Sequence, residues 1–234
     1  MDLFRDHKTL TLKEIGEMSG LHKTTAHGIV LTLLAERFLS QNKRTRKYSL
    51  GPALFELGGL YRQRIDAFGV CLPLMRDLSQ KIGLTVQLVI LSDRDVIYLS
   101  RVVTTEFLSF SAADGVRMSA HCTASGKAML ALLGDEELSA LFPDDTLPTR
   151  TTYSINSRSK LLTELAKIRS QGFSIDYQEA ELGLAGIAAA FKAEHLMSIS
   201  VPCTAEAIDK GKADSVVPSL LTTQEEIIMQ LGSF

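Results

Sequence analysis

Over the first fifty residues, apolar positions recur at helical spacing in two short runs. Thr11-Leu12-Lys13-Glu14-Ile15 sets a threonine where a helix begins and a glutamate three residues on, the arrangement of a capping box, with Leu10 and Ile15 placed to staple its entry. The helix this predicts starts near Leu12, turns Leu12, Ile15 and Met18 inward, and stops at Gly20, which can take left-handed backbone. Next, Ala26, Ile29, Val30, Leu33 and Leu34 fall at i, i+3, i+4, i+7 and i+8, the stripe of a second helix packed on a core. Its other face carries Thr24, Thr25, His27, Gly28, Leu31 and Thr32, with Lys23 at the amino-terminal edge. Two short helices joined at a glycine, the second with small polar residues outside near its start, predict a helix-turn-helix. Short hydroxyls and a lysine there can reach base edges and phosphates without blocking entry to a groove. Residues 38–41 and 48–52 then read as two strands around the polar turn Asn42-Lys43-Arg44-Thr45-Arg46-Lys47. Directly after a helix-turn-helix such a hairpin is a wing. Its cations Lys43, Arg44, Arg46 and Lys47 would follow phosphates, adding affinity and salt dependence rather than sequence readout.

Beyond the hairpin, Leu54, Leu57, Gly58, Tyr61 and Ile65 repeat at helical spacing and predict a connecting helix over 52–69, weakened by Gly58-Gly59. Its stripe serves either dimerisation or packing against a neighbouring domain. A helix over 72–82 ends at Gly83, and 85–91 and 96–103 read as strands about the turn 92–95, followed by a third strand over 107–112. Helices are expected over 124–133, 135–141, 157–171 and 215–231, and strands over 173–178, 184–191 and 196–201. Hairpins interleaved with helices predict an α+β domain with an antiparallel sheet. The chain thus divides into a winged helix-turn-helix over 1–51, a connecting helix over 52–69 and a second domain over 70–234.

Composition fits this plan: 234 residues, 45% apolar and 22% charged, are enough for two modest globular domains and exclude a disordered or fibrous chain. No run approaches the roughly 18 to 20 apolar residues of a membrane span, and the start of the chain lacks the apolar core of a secretory signal, so a cytoplasmic location is expected. Charge changes the picture more. The balance of 25 Lys+Arg against 27 Asp+Glu conceals a first stretch, 1–66, with 11 basic and 7 acidic side chains, and a remainder with 14 and 20. A basic quarter joined to an acidic remainder suits a polyanion-binding module attached to something that does not touch the polyanion.

Catalytic chemistry finds little support. Cys71, Cys122 and Cys203 are odd in number with no C-x-x-C pair, which predicts buried reduced thiols rather than disulfides or a zinc site. His121-Cys122 has no separate base, Ser125-Gly126-Lys127 has no glycine five residues before its Gly-Lys, and the histidines are scattered. Neither an enzyme nor a metal or cofactor is expected.

The run Gly20-Leu21-His22-Lys23-Thr24-Thr25-Ala26-His27, the wing, and Tyr48-Ser49-Leu50-Gly51-Pro52-Ala53-Leu54-Phe55 resemble the DNA-binding domain of IclR-type transcriptional regulators. Ala120-His121-Cys122-Thr123-Ala124-Ser125-Gly126-Lys127 and Gly172-Phe173-Ser174-Ile175-Asp176 through Glu181-Leu182-Gly183-Leu184-Ala185-Gly186 are similar to that family's effector-domain signatures, so the resemblance spans nearly the whole chain. It implies a GAF-like effector domain, homodimers or homotetramers, and a small-molecule effector controlling affinity for a double-stranded DNA operator. It also implies an effector site at Phe107, Phe110, Met118, Ala124, Ser125, Asp176, Leu184, Gly186, Ser198 and Ser200. An apolar wall with a few polar groups is the usual make-up of a ligand pocket, and the helix start at Thr123-Ala124-Ser125 suits an anion such as a carboxylate. The corresponding DNA-binding set is Lys23, Thr24, Thr25, His27, Gly28, Lys43, Arg44, Arg46 and Lys47.

The first helix is expected to be a single turn, over 2–6, where the family has a full one; Gly28 stands where the family often has arginine; and the connection between 191 and 196 must be tight. The first two features keep open a second reading, a metabolite-binding sensor or enzyme that has lost DNA binding.

Overall fold

A computed structural model describes residues 1–104 and 113–232, and the chain forms two compact units, Met1–Ile65 and Asp66–Phe234. The first contains α1 (Leu3–Asp6), α2 (Leu12–Ser19), α3 (Lys23–Ala35), the hairpin β1 (Leu39–Gln41) and β2 (Tyr48–Leu50), and α4 (Ala53–Gln63). The capping box forms: Glu14 N–H donates to Thr11 Oγ1 at 3.3 Å, and Thr11 N–H donates to Glu14 Oε2 at 2.7 Å. Those bonds hold the Glu14 carboxyl below its ordinary value. Gly20 ends α2 with φ 66, left-handed backbone that a β-carbon would strain. Leu10 and Tyr48 exchange backbone hydrogen bonds of 3.0 and 2.7 Å, and with Ile15, Val30 and Leu39 they form a small core.

Two apolar positions depart from expectation. Met18 of α2 and Ile29 of α3 are each 46% exposed, and only Ala26 and Val30 of the α3 stripe are fully buried. The four-residue α1 is too short to cover the whole stripe. The single connector expected over 52–69 is instead two helices: α4 ends before Arg64 and Ile65, and α5 (Asp66–Ile82) begins the second unit, with Asp66 favourably placed in its first turn.

The second unit continues with β3 (Val86–Ser92), β4 (Asp95–Val102), β5 (Arg117–Ser119), a short 3-10 turn, α6 (Ala124–Leu130), α7 (Asp135–Leu141), α8 (Arg158–Gln171), β6 (Ser174–Tyr177), β7 (Leu184–Lys192), β8 (Leu196–Thr204), α9 (Ala205–Asp209) and α10 (Lys212–Leu231). Among the described residues its six strands form one antiparallel sheet in the order β5-β4-β3-β8-β7-β6. The strand expected over 107–112 lies outside the described residues. The turn between β7 and β8 is as tight as expected, closed by an Ala193 N–H to His195 carbonyl bond of 2.9 Å. Helices α5 and α10 pack on one face of the sheet, and α6, backed by α8, packs on the other. Gly126 lets the 3-10 turn that precedes α6 fold tightly against the helix, because a β-carbon there would lie 2.1 Å from the Ala120 carbonyl oxygen. Among the described residues no helix is long and apolar enough to cross a membrane.

Candidate nucleic-acid interface and ligand cavity

In the first unit, Lys23, Thr24, Thr25, His27 and Gly28 all lie exposed on the amino-terminal half of α3. The Thr24 hydroxyl is held by His22 Nδ1 at 2.9 Å, whereas Thr25 has no such tie. A β-carbon at Gly28 would meet nothing within 4 Å, so the glycine is not imposed by packing.

The wing turn is pre-shaped by its own polar groups. Asn42 Oδ1 accepts the Arg44 and Thr45 N–H groups at 3.0 Å each, its carbonyl accepts Arg46 N–H at 2.8 Å, and Arg46 adopts φ 59. The carboxamide of Gln41 donates to the Arg46 carbonyl at 3.0 Å. Lys43, Arg44, Arg46 and Lys47 are exposed, and Lys23, Lys43, Arg44 and Arg46 enter no ion pair among the described residues. A rigid loop with unneutralised cations beside an exposed helix start can meet a polyanion without first breaking internal contacts. A cleft lined by Lys23 and His27 of α3, Gln41 and Arg46 of the hairpin, and Gly16 and Glu17 of α2 lies between these elements.

In the second unit, a cavity of about 450 Å³ opens where the start of α6 meets the sheet. Met118, Ala124, Ser125, Asp176, Leu184, Gly186 and Ser200, seven of the residues expected at an effector site, line it. Ser198 does not. It is fully buried between Val89 of β3 and Ala190 of β7, deeper along the same strand face as Ser200, and its hydroxyl has no hydrogen-bond partner. Phe107 and Phe110 lie outside the described residues. Small side chains create the space: a β-carbon at Gly186 would sit 3.5 Å from that of Ala124 across the cavity wall. At the start of α6, Thr123 Oγ1 accepts Gly126 N–H at 3.1 Å, while the N–H groups of Ala124 and Ser125 precede any intrahelical acceptor.

Several lining residues had no signal strong enough to single them out. Gln87 and Tyr98 project from β3 and β4, and Arg117 and Arg150 stand at the exposed edge. A lone glutamine inside the apolar run of β3 was a usable hint; Arg150, in a loop, offered none. Arg150 Nε donates to the Ala180 carbonyl at 3.1 Å, Thr151 Oγ1 to that of Gln178 at 2.6 Å and Ser154 Oγ to that of Glu179 at 2.7 Å. Three successive carbonyls after β6 are thereby fastened to one loop.

Lys127, 1% exposed, extends from α6 to ion-pair with Glu179 and donates to the Ile175 carbonyl at 2.7 Å, with Glu164 Oε1 at 3.9 Å. Burial pushes the Glu179 carboxyl up despite the ammonium. Asp176, whose Oδ1 accepts Glu179 N–H at 2.8 Å, is raised by burial to about 7. The adjacent His121 and Cys122 do not form a nucleophile pair. His121 Nε2 is 2.8 Å from the Pro148 carbonyl and its pKa is lowered by burial, while burial pushes the Cys122 thiol up to about 11. All three cysteines are free and buried.

Comparison with known proteins finds a family domain on each of the two parts of the chain. The IclR helix-turn-helix domain matches residues 1–43, and the bacterial transcriptional regulator IclR C-terminal domain matches residues 60–229. The HTH-type transcriptional regulator XynR of Escherichia coli (strain K12) is 33% identical over 189 residues, 80% of this chain and 75% of the relative. The transcriptional repressor IclR of the same organism is 29% identical over 229 residues, 96% of this chain and 84% of the relative. Among solved structures, an IclR homolog from Microbacterium hydrocarbonoxydans complexed with 4-hydroxybenzoate shares the fold with a TM-score of 0.79 at 24% identity, covering 98% of this chain and 94% of that one.

Proposed function

Because the chain belongs to the IclR family of bacterial transcriptional regulators, we propose that it is a sequence-specific repressor whose hold on a DNA operator is set by a small organic acid in the cavity of its second unit. It is a regulator of transcription, as its relatives are, and not an enzyme. The observation that carries the DNA reading is the exposed start of α3 beside a pre-shaped wing with unneutralised cations. Lys43, Arg44, Arg46 and Lys47 hold phosphates, while Lys23, Thr25 and His27 reach base edges and Thr24 and Gly28 permit close approach to the groove. Repression is favoured by the relative named a repressor that spans nearly this whole chain.

DNA reading belongs to 1–51, linkage to 52–69, and effector binding with oligomerisation to 70–234. Phe55, 88% exposed, and Leu57, Leu60 and Tyr61 put an apolar surface on α4, which supports a homodimer or a homotetramer; a reader of DNA would act in the cytoplasm. Such an assembly presents two readers to paired half-sites, and a ligand that favours one spacing of the readers alters the fit. The acid reading is supported by the α6 start, Arg150 and the size of the cavity, together with the structural relative whose ligand is an aromatic carboxylate.

The test has two steps. A thermal-shift screen of small acids finds ligands that bind the native state; duplex affinity, on DNA selected from a random pool, is then measured with and without the hit. Equal affinity at saturating ligand refutes the coupling. Thr25→Ala and Lys23→Ala should narrow the gap between selected and scrambled DNA, and an unchanged gap would remove them from base recognition.

A further inference from the structure

Around the inner end of the ligand cavity, one buried ammonium serves more carboxyl groups than it can neutralise. Lys127 is paired with Glu179 and stands 3.9 Å from Glu164 Oε1, while Asp176, 8% exposed, is held among the described residues only by backbone N–H groups, that of Glu179 at 2.8 Å and that of Ala180. Glu179 is itself 7% exposed, and its Oε2 has no hydrogen-bond partner among the described residues. With Lys127 and Glu179 both charged, an ionised Asp176 would be a second buried anion beside the first, poorly solvated and only partly offset by Lys127 and two backbone N–H groups.

The groups that face Asp176 offer no relief. Tyr98 from β4 and the Cys122 and Cys203 thiols are neutral, each pushed up by burial first and by the Asp176 charge in addition. Glu181 is acidic, Arg117 at the cavity edge is occupied by Asp95 at 3.2 Å, and Arg150 is exposed with its Nε on the Ala180 carbonyl. Yet Asp176 lines the cavity, so whatever enters meets its carboxyl group.

We propose that Asp176 meets ligands as a carboxylic acid, donating its proton in a hydrogen bond to a carboxylate oxygen, so that uptake of a small organic anion carries one proton with it. Asp176 is then a specificity-determining residue: it selects acceptors over donors at its end of the cavity and makes the regulator respond to the concentration of anion and of hydrogen ion together. The proton comes from solvent when the site was ionised beforehand, and it stays on Asp176. This inference rests on the cavity being the effector site. Burial of the group, which lifts its carboxyl from the ordinary aspartate value to about 7, agrees with the charge count.

The experiment uses the full chain and a named set of acids with pKa values well below 6: 4-hydroxybenzoate, benzoate and lactate, each paired with its primary amide. Isothermal titration at pH 6 and pH 8 should show about tenfold weaker binding of a carboxylate at pH 8, as a group titrating near 7 requires. Titrations in two buffers of different ionisation enthalpy should report net proton uptake approaching one at pH 8. Asp176→Asn should remove both the pH dependence and the proton uptake. In the ligand-free protein, the Asp176 carboxyl carbon followed by NMR should titrate near neutral pH. Titration of that carbon below pH 5, or a carboxylate bound equally well at pH 6 and pH 8 without proton uptake, overturns the proton coupling while leaving the cavity as an effector site. If the carbon titrates near neutrality and none of the acids binds at either pH, the effector reading itself fails and the proposal falls with it.

Discussion

Replacing Lys127 by methionine preserves the length and apolar stem of the side chain but removes its ammonium. Lys127 is 1% and the Glu179 side chain 9% exposed, so the pair is shielded from water, and the same ammonium also donates to the Ile175 carbonyl. Breaking a buried pair by removing one partner costs about 3 to 5 kcal/mol, because the other charge remains buried without compensation. Replacing both charges by apolar groups of similar volume is far milder, often neutral. Lys127→Met should therefore destabilise the Asp66–Phe234 unit by ~3–5 kcal/mol. Lys127→Met combined with Glu179→Met should recover at least about 2 kcal/mol of that loss, a coupling within the range found for contacting residues. Urea unfolding followed by circular dichroism, with the transition of this unit analysed separately, supplies the numbers. A loss below about 1 kcal/mol for the single change, or strictly additive effects in the double, would refute the claim that this buried pair ties α6 to the segment following β6.

Four further outcomes follow from the surroundings of named residues. Gly126→Ala sets a β-carbon 2.1 Å from the Ala120 oxygen and should cost about 1 to 3 kcal/mol in thermal or urea unfolding. Gly186→Ala meets Ala124 at 3.5 Å and should leave stability nearly unchanged while narrowing the cavity, read as weaker binding of any acid found in the thermal-shift screen. Gly28→Arg enters open space and should strengthen duplex binding, with about 1 kcal/mol of helix propensity gained and a salt slope steeper by about 0.9 for one added phosphate contact. For Asp176, a carboxyl raised from 3.8 to about 7 adds stability below pH 4 that is lost as pH rises to 7. Relative to Asp176→Asn, the wild type should lose on the order of 4 kcal/mol across that window in pH-dependent unfolding, and parallel pH profiles would contradict it.

Features set by neighbours in the chain were legible in the sequence. The Thr11/Glu14 box, the Gly20 stop, the wing with its four cations and the short β7–β8 turn all depend on a few adjacent residues, and they appear where the pattern put them. Burial was less legible, because it depends on what covers a face: Ile29 belongs to a sound helical stripe, yet a one-turn α1 leaves it open. In the cavity, alternation along β8 placed Ser198 and Ser200 on one face but could not tell their depth, and only Ser200 reaches the wall. Lys127 stood in the sequence as part of the run Ala120–Lys127 and beside Gly126, where the missing earlier glycine excluded a phosphate loop and nothing pointed to a buried ion pair. Its partner Glu179 is 52 positions away, brought close by the packing of α6 on the sheet. Arg150 and Tyr98 reach the same cavity from a loop and a distant strand, a convergence that no local spacing encodes.

The most direct measurement is the salt dependence of duplex binding by the full chain, before and after Lys43, Arg44, Arg46 and Lys47 are all replaced by alanine. If the hairpin lies along the phosphate backbone, the log-log slope should become shallower by up to about 3.6, roughly 0.9 for each contact removed, with folding unchanged. An identical slope in the two proteins would mean that these cations do not touch DNA, and the assignment of the first unit as the DNA reader would be contradicted.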